Sequence, residues 1–573
     1  MIQKIKYIFI LIFLLKSYNC IAQDNESLAL VNAKIVTVDS TLPEAQALWI
    51  TGDRISVVGS NKEIAKYISR NTQVIDLKGK LVVPGFIDGH AHFLGLGYAK
   101  MNMDLTKVKN WTEVIGIVKK AVKNAEPGQW IIGRGWHQEK WDKLPEQMVE
   151  DYPVHLELSK ISPNNPVILT HASGHALFAN AKAMELAGIG VSTIDPEGGR
   201  IVRQKNGQPS GIFLENAEKL INDVYENLLA QRTPDQKEAD IIKAIVLASD
   251  ECLRKGITSF QDASQPYKII DIYKKLADQG RLNTRLWVMI DESNDSLIAK
   301  IDQYKILGYG NNFLTIRSIK RYMDGALGAR GAWLLEPYAD LSSTSGLNTV
   351  PLDQFMETAR IAIEHGFQLC THAIGDRANR EVLNVYEEVF RNHPDKTNLR
   401  WRIEHAQHLH PQDIPRFAEL GVIASMQGIH CTSDAPWVPK RLGDKRAEEG
   451  AYVWKKLINT GAIISNGTDA PVEDVDPIAN YYALVTRKTK DGKAFYPEQT
   501  LSREEALKLS TLNCAYAAFE EDIKGSITVG KLADIVVLSQ DILTIPDEQI
   551  KQTRVLYTIL GGKIKFQDSE LQK

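Results

Sequence analysis

Residues 82–93 read VVPGFIDGHAHF and set the interpretation of the rest of the chain. A short apolar run meets Pro84 and Gly85 and leads into His90 and His92, one residue apart. In a strand, side chains at positions i and i+2 point to the same face, so the two imidazoles lie side by side. Two converging neutral imidazoles can bind one metal ion, but an isolated pair also fits a solvated strand edge. The choice depends on ligands elsewhere in the chain.

Seven further strand-like runs follow this stretch and predict the fold. Helical patterns lie between most of the eight runs, and eight such βα units predict an α/β fold, a (β/α)8 TIM-like barrel. The gap between the first and second runs is far longer than the others, so we expect an inserted subdomain at about residues 100–245. The seven runs are GITSFQD (256–262), TRLWVMI (284–290), LTIRSIKRYMD (314–324), GFQLCTHA (366–373), LRWRIEHAQ (399–407), GVIASMQ (421–427) and GAIISNGTD (461–469).

Both ends of the chain are rich in short strand-like runs separated by Gly and Asp. We therefore expect a small β-sandwich domain built from residues 23–83 and 521–573, with the barrel occupying residues 84–520 between them.

Residues 1–22 are predicted to be a secretory signal peptide, because two lysines precede an apolar run that is followed by small or polar residues. Cleavage after Ala22 predicts export to the periplasm or the extracellular space. A lipid anchor at Cys20 is the alternative, although residues 17–19 before it fit a lipidation motif poorly. No other run is apolar enough to span a membrane.

The composition is that of a soluble globular protein, with 44% apolar and 24% charged residues in 573. The formal net charge of -3 and the absence of a basic run argue against a nucleic-acid partner. The sequence leaves the oligomeric state open. Four cysteines outside the signal peptide are scattered along the chain and are predicted to be buried thiols: Cys252, Cys370, Cys431 and Cys514.

Histidines, an acid and a lysine recur where the predicted barrel strands end. The carboxyl ends of barrel strands carry catalysis, so residues hundreds of positions apart can meet there. In strand order the set is His90 and His92, then Lys320, His372, His405, His430 after the seventh strand, and Asp469.

Seven motifs together resemble the amidohydrolase superfamily, and within it the YtcJ-like branch that includes N-substituted formamide deformylases. The resemblance covers nearly the whole chain after residue 22. The motifs are PGFIDGHAH (84–92), THASGHALFANAKAMELAGI (170–189), MDGALGAR (323–330), THAIGDRA (371–378), RIEHAQ (402–407), SNGTDAPVE (465–473) and GSITVGKLADIVVLS (525–539).

The resemblance implies a centre of one or two divalent metal ions, most simply zinc. His90 and His92 would bind the first ion, and His372 and His405 the second, or one of these two would complete a mononuclear site. Asp469 would bind the first ion and carry the proton. Lys320 would be carbamylated and bridge the ions; a solvated basic strand end is the other interpretation of this lysine.

The implied reaction is hydrolysis of a C–N bond in a small amide, such as an N-acyl or N-formyl amine, by water that the metal activates. A deaminase or cyclic-amide hydrolase of the same superfamily is one alternative, and a dipeptidase with Arg330 or Arg377 as an anion clamp is another. A secreted, non-catalytic binding protein on the same barrel is a third.

Four further residues are weaker candidates for substrate contact. His430 is one, although the related branch usually has a proline where this chain has Gly428. His175 and Trp136 in the insertion could line the pocket or belong to a core. Arg330 lies in GALGARGAW (325–333), whose glycines predict a mobile loop over the site.

Overall fold

The computed structural model describes residues 27–138, 141–171, 176–196, 199–328 and 330–569. The predicted signal peptide, with Cys20, and the candidate residue His175 lie outside these ranges. The chain forms two compact units: one combines residues up to His92 with residues from Glu251 onward, and the other comprises Phe93–Asp250. The insertion predicted at about 100–245 falls within the second unit.

Eight parallel strands form one sheet in chain order, each paired with the next, and all eight strand predictions have a counterpart here. Most of their residues are buried, as expected for strands covered on both faces. They are β1 (Phe86–Ala91), β2 (Ile257–Gln265), β3 (Arg285–Ile290), β4 (Leu314–Tyr322), β5 (Gln368–Ala373), β6 (Arg402–His405), β7 (Ile423–Gln427) and β8 (Ile464–Gly467).

The barrel closes between its last and first strands. The Asp469 N–H donates to the His90 carbonyl at 2.8 Å, and the His92 N–H donates to the Ala470 carbonyl at 2.8 Å. These bonds lie at the carboxyl ends of β8 and β1, so closure itself brings the histidine pair to Asp469.

Helices follow most of the barrel strands, as the sequence predicts. The long ones are amphipathic and cover the sheet with their apolar faces. Helices of the barrel, long and short, span Tyr267–Asp278, Asn294–Lys300, Leu352–Glu364, Asp376–Asn392, Ile414–Leu420, Gly428–Asp434, Val438–Leu442, Asp444–Gly450, Trp454–Asn459, Pro477–Thr486, Arg503–Leu509 and Leu512–Ala517.

Strands from both ends of the chain pair with each other. A six-stranded sheet joins Glu44–Ala45, Lys34–Val36 and Leu81–Pro84 to Ile535–Leu538, Val555–Leu560 and Lys563–Gln567. A four-stranded sheet contains Arg54–Gly59, Ala47–Thr51, Ser27–Val31 and Thr72–Asp76. One buried cluster, which includes Leu30, Ile50 and Ile535, draws side chains from both sheets.

The unit Phe93–Asp250 has a six-stranded mixed sheet of its own, which the sequence analysis did not predict. Its strand order is Gly199–Arg203, Pro209–Glu215, Ala176–Ala179, Val167–His171, Ile131–Trp136 and Met103–Asp104. Its helices include Phe93–Met101, Trp111–Lys123, Leu156–Ile161, Ala181–Leu186 and Lys219–Ala230, and Pro234–Arg254 leads out of the unit. In the described part of the chain, we find no helix with the length and apolarity to cross a membrane.

Candidate metal centre

Four histidines surround the carboxylate of Asp469 at the carboxyl end of the barrel. Oδ1 of Asp469 lies 3.2 Å from Nε2 of His92 and 3.7 Å from Nε2 of His90. Its Oδ2 lies 3.8 Å from Nε2 of His430. The ligand atoms form two groups in which all atoms lie within 4.8 Å of one another: His90, His92 and Asp469, and His405, His430 and Asp469.

His372 is close to this centre but is not a member of either group. Its ring centroid lies 4.4 Å from that of His405. Its Nε2 lies 3.6 Å from Oδ1 of Asp324, a fully buried carboxylate. His430, a weaker candidate for substrate contact, instead belongs to one of the two groups around Asp469.

Three of the histidines are held through Nδ1, which leaves Nε2 to face the centre. His90 Nδ1 lies 2.5 Å from a carboxylate oxygen of Glu404. His92 Nδ1 lies 2.8 Å from the Ala263 carbonyl, and His405 Nδ1 lies 2.8 Å from Oε1 of Gln427. Because each partner is an acceptor, Nδ1 carries the proton and Nε2 presents a lone pair.

Several polar atoms that face the centre are buried without a hydrogen-bond partner. They are Nε2 of His90, His372 and His430 and Oδ1 of Asp469. Buried polar atoms are normally paired, so four orphaned atoms in one place indicate a missing common partner. Imidazole nitrogen and carboxylate oxygen are ligands for divalent metals, and the residues present therefore fit such an ion.

The electrostatics of the centre favour the metal-binding form of three histidines and of Asp469. Burial lowers the pKa of His90 to about 4 and that of His372 to about 3. Burial and the neighbouring histidines hold the pKa of His405 well below its usual value. Although burial alone raises the pKa of Asp469, the nearby His92 and the other facing histidines hold it well below its usual range. The imidazoles of His90, His372 and His405 are therefore neutral, and the carboxylate of Asp469 is ionised.

Lys320 is buried on β4, and burial lowers the pKa of its amine. Its Nζ lies 4.9 Å from the centroid of the Tyr322 ring. Within the described ranges, no hydrogen bond or ion pair involves this amine. A buried amine without a partner is readily neutral, because burial penalises the charged form.

The backbone at two of the site residues lies in the left-handed region. His405 has φ +74° and Asp469 has φ +58°. This conformation is costly for residues with a side chain and persists where the surrounding structure imposes it. At His405 it interrupts the alternation of the strand, so that Glu404 and the next side chain, His405, both face the barrel interior.

The sequence analysis missed two buried charged residues that support the centre. Arg402 and Glu404 lie inside the barrel with fully buried side chains, joined by bonds of 2.7 Å and 2.9 Å. A signal was available: RIEH places two charges at alternate positions of a strand predicted to be buried, and buried charges must pair.

The weaker substrate candidates have partners elsewhere. Trp136 belongs to the unit Phe93–Asp250, where it is 1% exposed in the hydrophobic core and donates its indole N–H to the Leu169 carbonyl. The guanidinium of Arg330 forms bonds of 3.2 Å and 2.9 Å to the carboxylate of Asp340.

The loop after β4, residues 323–351, contains the glycine-rich segment that was predicted to be mobile, and it is held at several points. The Arg441 guanidinium donates to the Gly328 carbonyl at 3.0 Å, and Arg446 donates to the Pro337 carbonyl at 2.8 Å. Asp324 accepts the Trp333 N–H at 2.8 Å. These contacts tie the loop to β5 and to the helices after β7.

Comparisons with known proteins agree with this geometry. A model described as the Amidohydrolase family matches residues 73–566. Protein LONG AFTER FAR-RED 3 of Arabidopsis thaliana is 33% identical over 94% of this chain and 91% of its own length. A Bacillus subtilis (strain 168) protein named as an amidohydrolase, YtcJ, is 31% identical over 91% of this chain and 96% of its own length.

Two further matches bear on the chemistry. N-substituted formamide deformylase of Arthrobacter pascens is 28% identical over 94% of this chain and 98% of its own length. The crystal structure of an uncharacterized metal-dependent hydrolase from Pyrococcus furiosus superposes with a TM-score of 0.69, at 28% identity over 90% of this chain and all of that chain.

Proposed function

The chain belongs to the amidohydrolase family, and from this premise we propose that it is a metal-dependent hydrolase that cleaves the C–N bond of a small amide. The resemblance found in the sequence motifs, to YtcJ and to N-substituted formamide deformylase, is confirmed by the matches along the chain. The observation that carries the proposal is the pair of ligand groups that share Asp469, with orphaned buried atoms in both.

A divalent metal would be held by His90, His92 and Asp469, with His405 in the second group around the same carboxylate. Imidazole with carboxylate suits zinc best among the common divalent metals. When bound, such an ion makes hydroxide available near neutral pH and polarises a substrate carbonyl.

Asp469 is positioned to move the proton of the reaction. Because its pKa is held well below the usual range, it is ionised at neutral pH and accepts the proton that leaves the attacking water. It then passes that proton to the nitrogen of the leaving amine, which is a poor leaving group unless it is protonated. His430, whose Nε2 lies 3.8 Å from the same carboxylate, would contact the substrate beside this proton acceptor.

Lys320 is proposed to be carbamylated. The neutral amine attacks the carbon of carbon dioxide and releases a proton, giving a carbamate with two oxygens and one negative charge. The burial of Lys320, its lowered pKa and its freedom from other described partners support this reaction. The carbamate would add an anionic ligand beside His372. His372 itself belongs to neither of the two ligand groups.

We propose an N-acyl or N-formyl amine as the substrate, supported by the name of the Arthrobacter pascens relative. The dipeptidase alternative needs a free cation for a carboxylate. The two arginines considered as an anion clamp already have partners. Arg330 binds Asp340, and Arg377 bonds to Glu381 at 2.6 Å and lies over the Trp333 ring.

Metal content is the deciding measurement. We would express residues 23–573 and determine metal per chain by elemental mass spectrometry for wild type, Lys320→Ala and the control Lys396→Ala, then assay N-formyl and N-acyl amines. We expect about two ions in wild type and in the control, and fewer in Lys320→Ala. About one ion, unchanged in Lys320→Ala, would remove the carbamate. Absence of metal under varied supply would contradict the hydrolase and favour a binding protein.

Export and the small terminal domain are part of the same proposal. We infer that residues 1–22 are removed on secretion and that the two terminal sheets form one β-sandwich. N-terminal sequencing of the protein from its native host tests the first point: a start at Gln23 supports cleavage, and a blocked, lipidated Cys20 contradicts it.

A further inference from the structure

His90 has a partner of a kind that the other fixed histidines lack. His92 donates to a neutral backbone carbonyl and His405 to a neutral amide oxygen, whereas His90 Nδ1 faces the Glu404 carboxylate at 2.5 Å. An anionic acceptor draws the Nδ1 proton toward itself and enriches electron density at Nε2, which makes that nitrogen a stronger ligand.

Arg402 stabilises that carboxylate in the barrel interior. Its Nε and Nη2 donate to the two oxygens of Glu404 at 2.7 Å and 2.9 Å. Its Nη1 donates to Oε1 of Gln261 at 2.5 Å, and Oγ of Ser425 lies 2.8 Å from its Nη2. A buried carboxylate without such compensation would take up a proton or destabilise the fold.

Arg402 also fixes the backbone that carries His90. Its Nη2 donates to the Gly89 carbonyl at 2.7 Å, directly before His90 and across the barrel from β6. The backbone around Gly89 is closely packed, because a Cβ at Gly89 would lie 2.6 Å from the Asn466 carbonyl oxygen. One guanidinium therefore holds both the carboxylate that binds the His90 ring and the peptide to which His90 belongs.

We infer that the Arg402–Glu404 pair is a positioning device that sets the orientation and donor strength of His90, and hence the affinity of the centre for its metal. The inference rests on the proposed metal-dependent function. A purely structural pair is the competing explanation: it would stabilise the barrel and leave metal affinity unchanged.

The test compares zinc affinity, measured by competition with a chromophoric chelator, in wild type, Glu404→Gln and Asp534→Asn. Glutamine keeps an oxygen that can accept the His90 Nδ1 proton but removes the charge. Asp534→Asn makes the same change in another buried carboxylate. Asp534 pairs with Arg285 at 2.7 Å, and Arg285 lies at the amino end of β3, whereas the candidate metal centre lies at the carboxyl ends of the barrel strands. We expect zinc affinity to fall roughly 10- to 100-fold in Glu404→Gln and to stay unchanged in Asp534→Asn.

Folded Glu404→Gln with wild-type affinity would overturn the inference, as would an equal loss in Asp534→Asn. If Glu404→Gln does not fold, the double variant Arg402→Met/Glu404→Gln, which leaves no unpaired charge, takes its place with the same expectation. Wild-type protein that binds no divalent metal would instead overturn the proposed function.

Discussion

At the scale of single residues, the centre depends on how each side chain is held rather than on which residue types are present. The Nδ1 atoms of three histidines have three different acceptors, and left-handed backbone at His405 and Asp469 aims those two side chains. The residues that gather at the centre could be named as candidates from the sequence because they stand at predicted strand ends, but the structure groups His430, and not His372, with Asp469. The support could not, since the contacts of Glu404 and Gln427 with the histidine rings form only between different strands of the folded barrel.

Asp469 gives the first prediction. Asp469→Asn removes the proton acceptor, so we expect kcat for N-formyl amines to fall by about 100-fold or more. The matched control is Glu473→Gln, an acid four residues further along, which should change kcat by less than about twofold. Steady-state kinetics on metal-loaded protein with the folded content verified by circular dichroism measures this. Equal losses in the two variants would remove Asp469 from the proton transfer.

His408 gives a prediction about acid stability. Burial lowers its pKa to about 3, and neither ring nitrogen has a hydrogen-bond partner among the described residues. Between that pKa and the unfolded value of about 6.5, the unfolded chain binds more protons. Stability therefore rises with pH in this window and is lost as pH falls below about 6.5.

His408→Leu should remove this contribution. At pH 7.5 we expect the variant to be no less stable than wild type, and at pH 5 to gain about 2 kcal/mol relative to it. Thermal unfolding at the two pH values measures the difference, and His410→Leu, a partly exposed position, is the control. A constant difference between wild type and His408→Leu at both pH values would contradict the prediction.

At the scale of elements, the barrel strands could be predicted because each is a short apolar run with turn residues at its ends. The loop after β4 could not, because its order comes from contacts with residues far away in the chain. Asp324 accepts the backbone N–H groups of Trp333, Ile374 and Gly375 at 2.8, 2.9 and 2.8 Å. One buried carboxylate thus holds this loop against the end of β5.

Asp324→Ala should loosen that loop. Three buried N–H groups would lose their acceptor, each at a cost of about 1–3 kcal/mol if left unpaired. We expect faster cleavage by trypsin within residues 323–351, detected by mass spectrometry of the fragments, and a lower Tm. Asp353→Ala, an exposed acid at the start of the next helix, is the control. Unchanged cleavage in Asp324→Ala would show that the other contacts suffice.

At the scale of the whole molecule, the pairing of the two chain ends follows from patterns that are visible at both ends, whereas the order of the strands within the two terminal sheets does not. The strand Leu81–Pro84 runs directly into β1 and pairs with Ile535–Leu538, so the C-terminal segment fixes the entry to the barrel. The sheet inside Phe93–Asp250 escaped prediction because its strands are short, and their pairing depends on neighbours far apart in sequence.

A buried ion pair couples the barrel to the terminal strands and carries the last prediction. Arg285, the first residue of β3, binds Asp534 at 2.7 Å and 3.0 Å, and both side chains are almost fully buried. The pair also orders backbone on each side: Arg285 donates to the Asn312 carbonyl at 3.1 Å, and Asp534 accepts the Gly561 N–H at 2.9 Å.

Removing one partner leaves an uncompensated buried charge, so Arg285→Met and Asp534→Leu should each cost about 3–5 kcal/mol. The double variant should cost less than the sum, because neither charge is then left alone. Unfolding in urea of wild type, both single variants and the double variant measures the coupling. Lys493→Met, which breaks an exposed pair with Asp491, should cost less than about 1 kcal/mol. Additive losses at Arg285 and Asp534 would mean that the two side chains are not energetically coupled.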